Sequence, residues 1–157
     1  RGARHLPLHD TPFAHRLARD LHVLHATGVL DAARHAALQA AAARLAPAHV
    51  WVGFDYTDAV HKNFVVRADD GLVCGIDVES LRDGQLLGGG IVKAALRWLG
   101  EAPALLDALA ARGAPDLRAD YDYIALSFLA RWTRTKLMTG KTHFVDAGHF
   151  ERFVRAP

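Results

Sequence analysis

The sequence predicts a helix-rich α+β domain in which a small β patch packs on helices. Three observations carry this. The flanks of the chain keep apolar residues at helical spacing, as in Phe13, Leu17, Leu21 and Leu24. The middle turns short, apolar and β-branched, first in Val50-Trp51-Val52-Gly53-Phe54 and again in Phe64-Val65-Val66. At 157 residues, with 51% apolar and 23% charged residues, a single domain over 1–157 with a real core is expected, not a disordered chain.

In chain order, residues 1–10 form a lead-in segment. Thr11-Pro12 then supplies a capping hydroxyl and a proline in the first turn, so a helix starts there and stops at Gly28. Asp31 caps a second, alanine-rich helix running to about Leu45, with Pro47 closing it. The Val50–Phe54 strand follows. Phe64–Val66 and Leu72–Ile76 make a hairpin across Asp69-Asp70-Gly71, where Asp-Gly favours a tight turn. The segment from Glu79 through Gly90 reads as loop, with Gly88-Gly89-Gly90 as its flexible end. Helices are expected at about Ile91–Leu99, Pro103–Ala111 and Tyr121–Met138, with a short helix in Phe144–Val154. Trp51, Trp98 and Trp132 are expected as core anchors.

The composition narrows the function classes. The formal charge is only +2 and the 19 basic residues are scattered, which argues against nucleic acid as the partner. No apolar run reaches the length needed to cross a bilayer. A single cysteine, Cys74, excludes an internal disulfide and suits a reducing, cytoplasmic compartment. His22-x-x-His25 lacks a further ligand at a metal-binding spacing, so these histidines and His15 belong to the surface or the edge of the core. Gly140-Lys141-Thr142 resembles the end of a phosphate loop, but Thr135 stands where the leading glycine belongs.

The chemistry concentrates in one stretch. Asp58 lies in a loop after a strand, where a carboxylate can face a cleft. Asn63 opens the next strand and Asp77 closes the one after it, so the two sit near one end of the hairpin. An amide oxygen and a carboxylate there suit Mg²⁺, which takes hard oxygen ligands and keeps substrate phosphates as others. Asp58 would orient an incoming hydroxyl or accept its proton.

Tyr56-Thr57-Asp58, four residues and Asn63, followed by a hairpin and Asp77-Val78-Glu79, resembles the catalytic loop and metal-binding segment of the protein-kinase-like superfamily. The Ile-Asp-x-Glu ending is similar to the small-molecule branch, which includes choline-kinase-like, aminoglycoside-phosphotransferase-like and lipopolysaccharide-kinase-like proteins. The resemblance implies a kinase-like C-lobe using ATP and Mg²⁺ on a small-molecule, sugar or lipid hydroxyl. It implies Asp58 as base, Asn63 and Asp77 as metal ligands, and Glu79 as a second-metal ligand. By the same analogy Val65 lines the floor of the adenine pocket and Lys62 is a candidate phosphate contact. The family's usual loop lysine, two places after the aspartate, falls at Val60. No glycine-rich phosphate loop and no Val-Ala-x-Lys strand precedes Tyr56, so the N-lobe is expected to be missing or supplied by a partner chain.

Two rival classes remain open. A kinase-like lobe without activity would serve as a binding or regulatory module. A helical DNA-binding or scaffold protein with an incidental hairpin would show salt-dependent DNA affinity and no Mg²⁺-dependent nucleotide binding.

Overall fold

The computed structural model describes residues 2–100 and 102–155. It is helix-rich α+β, with small antiparallel pairings among the helices. The chain divides into two compact units. One holds the chain up to Leu6 and Val50–Tyr121; the other holds Pro7–His49 and the chain from Asp122 onward.

The second unit is helical. Thr11 Oγ1 accepts from Phe13 N–H at 3.3 Å and starts α1 (Phe13–Ala26) as expected. Phe13, Leu17, Leu21 and Leu24 are all buried, and Gly28 ends the segment at φ +77°. Asp31 caps α2 (Ala32–Leu45) by accepting from Arg34 N–H at 2.7 Å. α1 packs on α2, and α5 (Tyr121–Met138) matches its expected bounds. The C-terminal stretch makes two 3-10 turns and α6 (Glu151–Val154), which lies against α2. Asp20, 1% exposed, accepts from Arg134 Nη1 at 2.8 Å, so a buried charge in this helical core has its counter-charge.

His22 is exposed and His25 half-buried, at the edge of the core as expected. His25 Nδ1 donates to the Leu30 carbonyl at 3.0 Å, and its ring stacks on His35 with centroids 4.7 Å apart and 7° between planes. The His22 ring lies 6.3 Å from His35. Among the described residues no group of three or more His, Cys, Asp or Glu side chains is placed to hold a metal. Burial, then the charges of His25 and His22, push the His35 imidazole below its ordinary 6.5. The unfolded chain therefore takes up this proton more readily than the folded one. The contribution of His35 to stability is full above about pH 6.5 and is lost as the pH falls below it. Thermal denaturation should show a lower midpoint near pH 5.5 than near pH 7.5, and His35→Gln should flatten that slope. An unchanged slope in the variant removes His35 from the account.

The first unit holds the strands. β1 (Arg4–Pro7), β2 (His49–Tyr56) and β5 (Leu81–Leu86) form a sheet in the order β1-β2-β5. Two expectations are corrected here. The lead-in segment contributes β1, and the stretch after Glu79 is not a loop but contains β5, antiparallel to β2. β5 reads Leu-Arg-Asp-Gly-Gln-Leu and is mostly exposed, so no apolar alternation marks it; pairing with the β2 backbone creates it. β3 (Phe64–Val66) and β4 (Val73–Gly75) form the expected hairpin, with Phe64 opposite Gly75. Gly71, at φ +72°, donates to the Arg67 carbonyl, and Asp70 accepts from Leu72 N–H, which closes the turn.

α3 (Gly89–Ala94) begins earlier than expected and runs on as one π-helical turn over Ala95–Leu99; α4 (Ala102–Ala110) packs against it. Trp98 on that turn is 44% exposed, which corrects its expected role as a core anchor. Its indole N–H donates to the Ala59 carbonyl at 3.0 Å, so the ring borders a groove instead of filling the core. Among the described residues no helix is long and apolar enough to cross a membrane.

Candidate functional site

The site begins where β2 ends. Asp55 and Tyr56 close the strand, and a two-residue turn, Thr57-Asp58, follows. Gly90 packs directly on this strand end: a Cβ there would lie 2.3 Å from the Tyr56 carbonyl oxygen. Its N–H donates to Asp55 Oδ2 at 3.1 Å. Burial pushes the Asp55 carboxyl up, and hydrogen bonds from the backbone N–H groups of Gly90, Gly88 and Gly89 only partly offset this, so it stays above the ordinary carboxylate value. The three glycines, read from sequence as a flexible loop end, are a buried junction that clasps a carboxylate of the protein's own.

That junction aims α3. Residues three apart share a helix face. Lys93 therefore lies one turn beyond Gly90, and its Nζ reaches Asp58 Oδ1 at 2.8 Å. Lys93 is buried between Val92 and Ala94, while the Asp58 side chain keeps 38% of its surface exposed. Asn63 ends a 3-10 turn (His61–Asn63) just before β3 and is buried. Its Nδ2 donates to the Asp58 carbonyl at 2.9 Å and to Asp58 Oδ2 at 3.2 Å. With both amide hydrogens spent on residue 58, Oδ1 is the amide's remaining polar atom. Burial pushes the Asp58 carboxyl upward, but the hydrogen bond and charge of Lys93, the Asn63 amide and the charge of Lys62 outweigh it, holding it below the ordinary carboxylate value.

The hairpin brings the second acid alongside. Ile76 N–H donates to the Asn63 carbonyl at 3.0 Å, so Asp77 is one residue beyond the backbone partner of Asn63. Asp77 precedes a 3-10 turn (Val78–Ser80), and its carboxylate makes no cap hydrogen bond there. Ser80 donates through N–H and Oγ to the Asp77 carbonyl, while the Ser80 carbonyl accepts from both N–H and Oγ1 of Thr57. The turn carrying Asp58 and the turn following Asp77 are thus stitched through one serine.

Asp58 and Asn63 touch, and Asp77 sits on the adjoining strand end. Glu79 is exposed on its turn and Lys62 is exposed on the turn before β3. Val65, 45% exposed, pairs with Cys74 and points opposite to Phe64 along the strand. Phe64, with Tyr56, Gly75, Ala94, Trp98 and Leu105, lines an apolar groove of about 510 Å³ beside the Asp58 turn. Sequence reasoning missed Asp55 and Lys93. Gly88-Gly89-Gly90 ahead of a helix was the available signal, but the partners lie 35 residues away along the chain. Comparison of the chain with protein-family models, curated proteins and solved structures found no match.

Proposed function

We propose that this chain is the helix-rich catalytic lobe of a kinase-like phosphotransferase that uses ATP and Mg²⁺ to phosphorylate a hydroxyl on a small molecule, sugar or lipid. The observation that carries this is the Asn63 amide. Both its hydrogens are committed to Asp58, which leaves Oδ1 for a cation at the hairpin end where Asp77 stands. An amide oxygen and a carboxylate are the hard donors that Mg²⁺ prefers, and in this reading Asn63 and Asp77 would hold it, with Glu79 within the same segment. When bound, the metal neutralises charge on the phosphates.

The chain's own residues do the rest. Asp58, whose side chain keeps 38% of its surface exposed, receives the acceptor hydroxyl on its carboxylate. The hydroxyl oxygen bonds to the γ-phosphorus, the bond from that phosphorus to the bridging oxygen breaks, and its electron pair leaves on ADP. The hydroxyl proton passes to Asp58. A carboxylate held below its ordinary value is a weak base, but the loose transition state of phosphoryl transfer asks for orientation more than for basicity. The apolar groove beside the turn suits an acceptor with an apolar body. Val66 and Val73, paired across the hairpin, are each more than half exposed, which supports a nucleotide and a covering N-lobe or partner chain on that side.

Calorimetry with ATP, with and without Mg²⁺, tests this together with release of labelled phosphate to water or to added hydroxyl compounds. Asp77→Ala should abolish the Mg²⁺-dependent part of binding and lower transfer by about 100-fold or more. A wild-type protein that binds no nucleotide in the presence of Mg²⁺ ends the proposal. One observation favours a second reading: both carboxylate oxygens of Asp58 are already engaged, by Lys93 and Asn63. A lobe that binds nucleotide without transferring phosphate would act as a regulatory module, and nucleotide binding with no transfer to any acceptor selects it.

A further inference from the structure

We propose that Lys93 is a catalytic cation of this site, whose ammonium group moves from Asp58 onto the γ-phosphoryl group as it is transferred. The inference rests on the phosphotransferase reading and extends it to a residue on a different element from the catalytic loop. Phosphoryl transfer builds charge on the transferring group and needs fixed positive charge beside it. The loop itself carries Val60 where a basic side chain would serve, and Lys62 is exposed.

Lys93 meets the requirement from α3. Lysine is rarely buried, and its charge is costly to remove from water. Here it is buried between two apolar residues and delivered to one carboxylate oxygen at 2.8 Å. The Gly90 contact with the Tyr56 backbone leaves the first turn of α3 little freedom, so the helix that carries the ammonium is held beside Asp58. An acceptor hydroxyl on Asp58 would lie about 3 Å from the carboxylate, and the phosphorus about 3–3.5 Å beyond it. A cation in contact with that same carboxylate is within a side-chain rotation of the phosphoryl oxygens. Lysine is suited to this: its ammonium is a compact charge on a flexible stem, and its three hydrogens can donate to more than one oxygen.

The γ-phosphoryl contact separates this role from a structural one, because ADP lacks that group. ATP and ADP affinities in the presence of Mg²⁺, ATP hydrolysis rates and melting temperatures are measured for wild type, Lys93→Met and Lys93→Arg. The wild type should prefer ATP. Lys93→Met should weaken ATP by about 10-fold, leave ADP within about two-fold and slow hydrolysis by about 100-fold; Lys93→Arg should recover part of both losses. If Lys93→Met weakens ATP and ADP equally, or keeps the ATP preference and the hydrolysis rate, the catalytic role is overturned while the phosphotransferase reading stands. If Lys93→Met fails to fold, Lys93→Arg decides alone: a partial loss of ATP preference and rate with ADP affinity and melting temperature unchanged supports the phosphate contact, and unchanged preference and rate overturn it. A wild type that binds neither nucleotide removes the phosphotransferase reading and this inference with it.

Discussion

Gly90→Ala is expected to destabilise the protein by about 3 kcal/mol, at the upper end of what overpacking costs, with a melting temperature lower by roughly 10 °C. The cause is contact, not backbone strain. Gly90 is not among the glycines with positive φ, so alanine is compatible with its local conformation. The added methyl would meet the Tyr56 carbonyl oxygen at 2.3 Å and its carbon at 3.1 Å. These are main-chain atoms at the end of a paired strand, and they cannot swing away as a flexible side chain would. Relief requires α3 to move off β2. That motion pulls the Gly90 N–H from Asp55, whose carboxylate is half-buried and would lose a donor it depends on. It also draws Lys93 off Asp58. Gly113→Ala is the comparison: φ there is +82° with open space around it, so its cost is the conformational one alone, about 1 kcal/mol. Urea denaturation of both variants decides the matter. A Gly90→Ala protein no less stable than Gly113→Ala means that α3 does not pack on the strand end as described.

What could be read from sequence in this chain was whatever neighbouring residues encode. The start of α1 at Thr11-Pro12 and the Asp31 cap of α2 are contacts within three residues. The hairpin turn at Asp70-Gly71 is likewise local. The contact between Asp58 and Asn63 spans five residues and belongs to the same order of distance. Pairings set by other parts of the chain were not legible. β5 has a polar sequence and exists because β2 offers it an edge. Trp98 carries a core residue's composition, yet the π-helical turn sets it on a groove rim. Lys93 stands among apolar residues with no local sign that its partner is Asp58. Such a residue becomes interpretable only when the packing of Gly90 has placed the helix. The half of the site on the segment between β2 and β3 was therefore accessible, and the half contributed by α3 was not.

The second large effect is expected at Asn63, where the identity of the atoms facing Asp58 can be tested by exchanging nitrogen for oxygen. Asn63→Ala removes two hydrogen bonds from a buried position and should cost about 1–3 kcal/mol. Asn63→Asp has nearly the same shape and should cost more, about 3 kcal/mol or above. Its carboxylate would present an acceptor to the Asp58 carbonyl and a like charge to the Asp58 carboxylate, with no hydrogen to donate to either. The pH dependence has a definite sign. Beside Asp58 the new carboxyl would be held above its unfolded value, so the folded variant binds a proton more readily than the unfolded one. Lowering the pH protonates it, restores a donor and relieves the penalty. The stability gap between Asn63→Asp and Asn63→Ala should therefore be widest near neutral pH and narrow towards about pH 4.5. Urea denaturation curves at the two pH values measure that gap. If the aspartate variant matched wild type at neutral pH, the amide would have to present its oxygen to Asp58. The free atom would then be a donor, repelling a cation where the proposed site needs an acceptor. The same pair of curves therefore tests both the packing of the turn and the polarity on which metal binding depends.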